Sequence, residues 1–176
     1  FAPEKTEVSF RNLEQLPSVS VLLSEDERMR LQGRIDRVDI CREQGNVYVR
    51  VIDYKSGSTR FDLTSVYYCL QLQLAVYLNA AMDMESREGG EVHPAGMFYY
   101  HIEDPMLDYE EEEDTERRML KELAFNGLVN ADPEVVKLMD KELHGSSDIL
   151  PIRLKKDGTY TAASSVAEEQ ELLRLS

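Results

Sequence analysis

The stretch VRVIDYKSG, residues 49–57, begins as a buried strand of valine and isoleucine and then presents Asp53 and Lys55 just before a glycine. Because side chains alternate across a strand, Asp53 and Lys55 share the apolar, core-facing side with the valines that precede them. Unpaired charges on that side would cost several kcal/mol, so both groups need partners or a metal ion.

A second strand is predicted over residues 28–42, where RMRLQGRIDRVDICR alternates in polarity. The sequence EQGN, residues 43–46, supplies turn residues before the strand at residues 46–55. The short connection predicts antiparallel pairing of the two strands. Asp36 falls on the apolar side of the first strand, so we expect a third ionisable group on the core side of the hairpin.

Two carboxylates and an ammonium group at one end of a hairpin suit a divalent cation. Mg²⁺ takes oxygen ligands, keeps several waters, and is often held by one or two carboxylates together with substrate phosphates. A neighbouring lysine can orient or help deprotonate a water and can stabilise charge on phosphorus. Asp36, Asp53 and Lys55 therefore predict metal-assisted phosphodiester hydrolysis.

A helix is predicted over residues 64–83, with one apolar stripe at steps of three and four formed by Val66, Leu70, Leu74, Tyr77 and Ala81. Gln73 lies on this stripe, four residues before Tyr77, so both side chains face the same way. A glutamine on the buried side needs a hydrogen-bond partner, and a catalytic lysine or a phosphate could be one.

The remaining sequence predicts a mixed α/β or α+β domain. Its expected elements are a strand at 6–10, a break at 89–94, a strand at 95–102, helices at 115–125 and 132–143, a hairpin at 149–161, and a helix opening at Ser164 or Ser165.

The composition fits one globular domain, because 176 residues are too few for two ordinary ones. No apolar run reaches membrane-spanning length and the N-terminus does not resemble a signal peptide, so we expect a cytoplasmic protein. The two cysteines, Cys41 and Cys69, are expected to be reduced and buried as small hydrophobic side chains.

The net charge of −14 predicts average repulsion from nucleic acid, so any DNA contact must rest on a local site, a metal or a partner. Eight carboxylates lie in residues 103–114, which we interpret as a solvated loop.

Each candidate residue also has a simpler explanation. An Asp-x-Lys pair is common on strand surfaces, and Asp36 could pair with Arg34 or Arg37. Gln73 could cap a loop, and Tyr77 could be an ordinary core residue. It is the ordered combination of these residues that favours a site.

The ordered set GRIDRVD, VIDYKSG and LQLQLAVYL resembles the RecB-type nuclease module of the PD-(D/E)XK superfamily, and is most similar to AddB-like nuclease domains. The resemblance assigns Asp36 to the metal-binding aspartate, Asp53 and Lys55 to the (D/E)xK element, and Gln73 with Tyr77 to the QxxxY motif. Glu7 falls where many members carry an acidic residue, so it is a further candidate metal ligand.

The resemblance implies a restriction-endonuclease-like central mixed β-sheet flanked by helices, formed by residues 1–176 as a single domain of a longer chain. It implies Mg²⁺-dependent DNA cleavage, with Mn²⁺ as a possible substitute, during double-strand-break processing for recombinational repair. The implied partners are DNA and a helicase subunit of the AddA type, with no membrane. AddB-like domains also hold a 4Fe–4S cluster with four cysteines, but neither Cys41 nor Cys69 fits that pattern, so the cluster is expected only in the full-length protein.

Two alternatives stay open. The chain could be a catalytically inactive DNA-guiding or scaffold domain in the same type of complex, which would not need a metal site. It could also be a sugar- or nucleotide-binding enzyme that uses DYKSG as an anion loop, although a glycine-rich phosphate cradle is absent.

Overall fold

The computed structural model describes residues 1–9, 20–22, 28–30, 32–102 and 123–175. The strands in these ranges are β1 Ala2–Ser9, β2 Ser20–Leu22, β3 Arg28–Arg30, β4 Arg34–Glu43, β5 Asn46–Lys55, β6 Glu91–His101, β7 Asn126–Asn130 and β8 Val166–Ala167. The helices are α1 Leu63–Tyr67, α2 Gln73–Ser86, α3 Pro133–Met139 and α4 Glu169–Leu175.

Six strands form one mixed sheet in the order β1-β4-β5-β6-β7-β8, and β2 pairs with β3 separately. The predicted hairpin is confirmed: β4 and β5 pair antiparallel with Val38 opposite Val51. Its turn places Gln44 and Gly45 at positive φ, 51° and 89°, as a tight two-residue hairpin turn requires. β5 and β6 are parallel, and α1 and α2 lie on the crossover between them.

The sheet is covered on both faces, which confirms a mixed α/β fold with flanking helices. On one face, α2 and α4 pack on a core that includes Val38, Val49 and Leu78. On the other face, α3 and the segment around Leu150 pack on Phe98. Because both faces are buried, β5 is almost continuously buried from Val47 to Asp53.

The expectation of one helix over residues 64–83 is wrong, because the chain breaks between α1 and α2. Cys69 adopts φ 59°, the left-handed conformation that ends many helices. Its N–H donates to the Val66 carbonyl at 3.0 Å, and the Leu70 N–H donates to the Ser65 carbonyl at 2.7 Å. This bonding is the Schellman motif. It turns Leu70 outward, leaving it 77% exposed, whereas the stripe prediction had it buried.

Several other boundaries differ from the expectation. The strand predicted over residues 28–42 is divided into β3 and β4, β1 starts at Ala2, and β6 starts at Glu91. Asn126 and Gly127, directly after the predicted helix at 115–125, begin the strand β7, where a Cβ on Gly127 would overlap the Met97 carbonyl oxygen. Residues 103–114 and most of the helix predicted at 115–125 lie outside the described ranges.

The C-terminal elements are shorter than predicted. Asp132 caps α3 through the Glu134 N–H, as expected, but the helix ends at Met139. The hairpin around Gly158 is limited to one bridge, between Leu154 and Tyr160. The last helix starts at Glu169, because residues 164 and 165 instead hydrogen-bond to the backbone of residues 151 and 153 and lead into β8.

The cysteine expectation is also wrong in part. Cys41 and Cys69 are free thiols, but Cys41 is half-buried and Cys69 is exposed. In the described part of the chain, no helix is long and apolar enough to cross a membrane.

The break at Cys69 can be tested by substitution. Cys69→Val should lower the free energy of unfolding by about 1–2 kcal/mol, since a β-branched residue is strained in the left-handed region. Cys69→Gly should leave it unchanged or raise it, because glycine adopts this conformation freely. Urea unfolding of the 176-residue chain measures both. An equal loss in the two variants would mean that backbone conformation is not what Cys69 contributes.

Candidate active site

The hairpin register brings Asp36, near the start of β4, next to Asp53, near the end of β5. Asp53 is 3% exposed, whereas Asp36 is half-buried. Asp36 Oδ2 accepts a hydrogen bond from the Tyr54 N–H at 2.9 Å, which fixes its carboxylate against the neighbouring strand. The prediction that these two carboxylates lie on the core side of one hairpin agrees with this placement.

Gln73 connects the acid and the base. As the first residue of α2, it accepts a hydrogen bond from Lys55 Nζ at 2.9 Å through Oε1. Its Nε2 donates to Asp53 Oδ1 and to the Tyr77 hydroxyl, both at 3.0 Å. Asp53, Lys55, Gln73 and Tyr77 therefore form one hydrogen-bonded network, and Gln73 sets the distance between Lys55 and Asp53.

The second oxygen of Asp53 is buried against Lys55. Lys55 Nζ forms an ion pair with Oδ2 at 2.6 Å. Apart from this ion pair, Oδ2 has no hydrogen-bond donor among the described residues. Burial raises the pKa of Asp53 above its usual value, and the Asp36 carboxylate raises it further against the opposing effect of Lys55. A cation beside Oδ2 would relieve both penalties.

Lys55 is held as a cation. Burial lowers its pKa, but the contact with Asp53 outweighs burial, so the pKa is raised overall. Its Nζ also lies 5.1 Å from the centre of the Tyr99 ring, which attracts a cation through its π face.

Asp36 and Asp53 fit a divalent cation, because Mg²⁺ needs only one or two carboxylates when waters and a phosphate complete its shell. A third side-chain ligand is not found: no group of three His, Cys, Asp or Glu residues suited to a metal occurs within the described ranges. Glu7 lies on β1, where its carboxylate is 3.7 Å from the Arg34 guanidinium and 74% of its side chain is exposed. Its role as a metal ligand stays a prediction.

The simpler explanations for Asp36 do not match the geometry. Arg34 contacts Glu7, and Arg37 donates to the fully buried Asp39 at 2.6 Å and 3.0 Å. Asp39 in turn accepts two hydrogen bonds from Arg50. Within the described residues, neither arginine pairs with Asp36.

Sequence reasoning missed two residues beside the site, Tyr99 and His101, both on β6. In the parallel register of β5 and β6, Tyr99 is opposite Asp53 and His101 is opposite Lys55. The available signal was the aromatic strand AGMFYYHI, residues 95–102, but its parallel pairing with β5 could not be read from local sequence.

Comparison with known proteins agrees with this geometry. The sequence profile of the PD-(D/E)XK nuclease superfamily matches residues 1–172. A protein of Lachnoclostridium phytofermentans, named as a subunit of an ATP-dependent helicase/deoxyribonuclease, is 50% identical over 163 residues, covering 85% of this chain and 14% of that protein.

Proteins with the same name from Moorella thermoacetica and Thermoanaerobacter sp. are 42% and 40% identical over 179 residues, each covering 99% of this chain and 16% of the relative. The chain thus spans about a seventh of the length of these relatives. The superfamily profile spans nearly the whole chain, so the resemblance stated from the motifs is confirmed and the chain belongs to the PD-(D/E)XK nuclease superfamily.

Proposed function

We propose that this domain hydrolyses DNA phosphodiester bonds with a divalent metal ion, Mg²⁺ or in its place Mn²⁺. The observation that supports this most is the buried carboxylate of Asp53, which lies next to the Asp36 carboxylate and is offset by the single cation of Lys55. A divalent cation between the two carboxylates would favour their ionised forms, which burial and mutual repulsion disfavour.

Each residue of the network has a distinct role in this proposal. Asp36 and Asp53 hold the metal ion, which supplies Lewis-acid polarisation and a water of lowered pKa when bound. Lys55 positions the attacking water and stabilises the charge that develops on the phosphate oxygens. Gln73 holds Lys55 and Asp53 at their separation, and Tyr77 holds Gln73.

The relatives are named as subunits of an ATP-dependent helicase/deoxyribonuclease. By that similarity, we infer that the full-length protein acts with a helicase subunit of the AddA type and processes double-strand DNA ends for recombinational repair. A cytoplasmic location follows from that role. The inactive scaffold is the second candidate, and it differs in predicting no dependence of cleavage on Asp53 or Lys55.

Cleavage by the full-length natural protein tests the proposed roles. Asp53→Asn and Lys55→Ala should each lower the cleavage rate of linear DNA at least ~100-fold, as the loss of one group that stabilises transition-state charge does. The thermal midpoint should stay close to the wild-type value. Glu134→Gln is the control, since Glu134 is an exposed acid on α3, against the opposite face of the sheet. Undiminished cleavage by both Asp53→Asn and Lys55→Ala would refute the catalytic roles proposed for these two residues.

The positioning role of Gln73 predicts a graded series. Gln73→Met keeps the size of the side chain but loses its hydrogen bonds to Lys55 and Asp53, so cleavage should fall about 10- to 100-fold. Tyr77→Phe removes only the hydroxyl that accepts from Gln73, so its effect should be smaller. Single-turnover cleavage rates, compared with thermal midpoints, measure both variants. A fall that simply follows loss of stability, or a larger effect of Tyr77→Phe, would contradict this role.

A further inference from the structure

The end of β6 holds the main chain at Lys55 and just after it. Lys55 is opposite His101 in the parallel register of β5 and β6, and its carbonyl accepts a hydrogen bond from the Ile102 N–H at 3.0 Å. Further along the chain, His101 Nε2 donates to the Thr59 carbonyl oxygen at 2.7 Å. The backbone beside the site is therefore fixed. What remains to be set is the direction of the long and flexible lysine side chain.

Side chains from three elements contact the Lys55 ammonium group. Nζ lies 2.6 Å from Oδ2 of Asp53 and 2.9 Å from Oε1 of Gln73. On another side, Nζ lies 5.1 Å from the centre of the Tyr99 ring on β6. An ammonium group has three N–H donors, so the two oxygens leave one donor for a water or a phosphate oxygen. The direction of that donor depends on how firmly the whole group is held.

The contact with Asp53 is not sufficient to hold Lys55 during the reaction. The same carboxylate is proposed to hold a divalent metal ion, and a carboxylate shared with a second cation attracts the ammonium group less, because the two cations repel each other. Gln73 is neutral and accepts a single hydrogen bond from Lys55. A contact that does not draw on the charge of Asp53 would keep the lysine in place.

Tyr99 has the properties that such a contact requires. It is 3% exposed, lies in the core beneath α2, and is opposite Asp53 in the register of β5 and β6, so the position of its ring is fixed. Burial raises the pKa of its hydroxyl above the ordinary value, so the ring is neutral at physiological pH. A neutral aromatic ring attracts a cation through its face, and more strongly where water is excluded.

We propose that Tyr99 is a positioning residue for Lys55, and that the face of its buried ring keeps the ammonium group directed at the phosphate that is cleaved. This inference rests on the proposed nuclease function and adds to it a residue outside the sequence motifs. The simpler explanation is that Tyr99 only fills the core between β6 and α2. A filling role depends on the size and hydrophobicity of the ring, whereas attraction of a cation depends on the electron density of its face.

A series of fluorinated rings at position 99 separates the two explanations. In the full-length protein, Tyr99 would be replaced by phenylalanine and by phenylalanines that carry one, two or three ring fluorines. Each fluorine weakens the negative face of the ring but changes its size little and makes it more hydrophobic. Single-turnover cleavage at saturating DNA and Mg²⁺ should stay close to wild type in Tyr99→Phe. Along the fluorinated series it should then fall stepwise, about 2- to 30-fold in all, the range of one cation–π contact.

The same series at position 100 is the matched control. Tyr100 is the next residue on β6, but its ring packs on the opposite face of the sheet, against Tyr54 and Phe125. Cleavage should therefore not depend on the number of fluorines there. An equal stepwise fall at both positions would overturn the inference, because fluorination would then act on the sheet in general. A loss in Tyr99→Phe as large as that in Tyr99→Leu would also overturn it, because the hydroxyl would then be responsible.

Lysine labelling tests the contact without cleavage. The full-length protein in EDTA would be treated briefly with an amine-acylating reagent, and the labelling of Lys55 would be measured by mass spectrometry. Lys137 is the internal standard, since its side chain is 67% exposed on α3. A weaker ring face should release the ammonium group into solvent, so labelling of Lys55 should rise along the series at position 99. It should stay constant along the series at position 100.

The outcomes separate this inference from the proposed function. Active wild-type protein whose cleavage rate does not depend on fluorination at position 99 would overturn the inference and leave the nuclease function standing. Labelling of Lys55 that stays constant along the series would also overturn the inference, whatever the rates. Wild-type protein that does not cleave, with labelling that rises along the series, would refute the nuclease function and support the contact between Tyr99 and Lys55.

Discussion

The burial of the Asp53 carboxylate next to Asp36 is the interaction on which this structure depends. Two adjacent acids at the end of a buried strand repel each other and lose hydration, so the fold must compensate them from several directions. The β4–β5 hairpin sets the distance between the two carboxylates. Lys55 contacts Oδ2 of Asp53, Gln73 donates to Oδ1, and the Tyr99 ring on β6 lies near the Lys55 ammonium group. Burial still raises the pKa of Asp53, so we propose that a divalent cation completes the compensation of the two acids.

The break between α1 and α2 places Gln73 where it can compensate the buried acid. An uninterrupted helix from residue 63 would continue through Gln73, whereas the left-handed residue at Cys69 starts α2 anew with Gln73 in its first turn. There the amide reaches both Lys55 and Asp53. The same break leaves Tyr68 and Leu70 exposed.

Local sequence was sufficient for the parts of this structure that local forces determine. The strand at residues 46–55, its hairpin partner and the core-side placement of Asp53 could be predicted because period-two alternation and a short turn leave few alternatives. The sequence could predict that Gln73 has a hydrogen-bond partner, since a buried amide needs one. The motif resemblance was needed to place Gln73 and Lys55 in the same site.

The predictions that failed concerned contacts between distant parts of the chain or an unusual residue at a helix end. The left-handed residue that ends α1 is Cys69, whereas glycine is the residue usually found in that conformation. The sequence therefore looks like one continuous helix. β7 was not predicted, because Gly127 allows a close backbone approach to β6, a contact that only the assembled sheet reveals. Tyr99 and His101 were missed for the same reason, because their proximity to the acids comes from the parallel pairing of β5 and β6.

The most direct test of the central claim is a calorimetric titration of Mn²⁺ into the protein and into its Asp53→Asn variant. Mn²⁺ takes the same carboxylate and water ligands as Mg²⁺. The account predicts a binding event in the wild type that Asp53→Asn abolishes and that Glu134→Gln retains. Identical titrations of the wild type and Asp53→Asn would contradict it, because the buried carboxylate would then have no part in holding a metal.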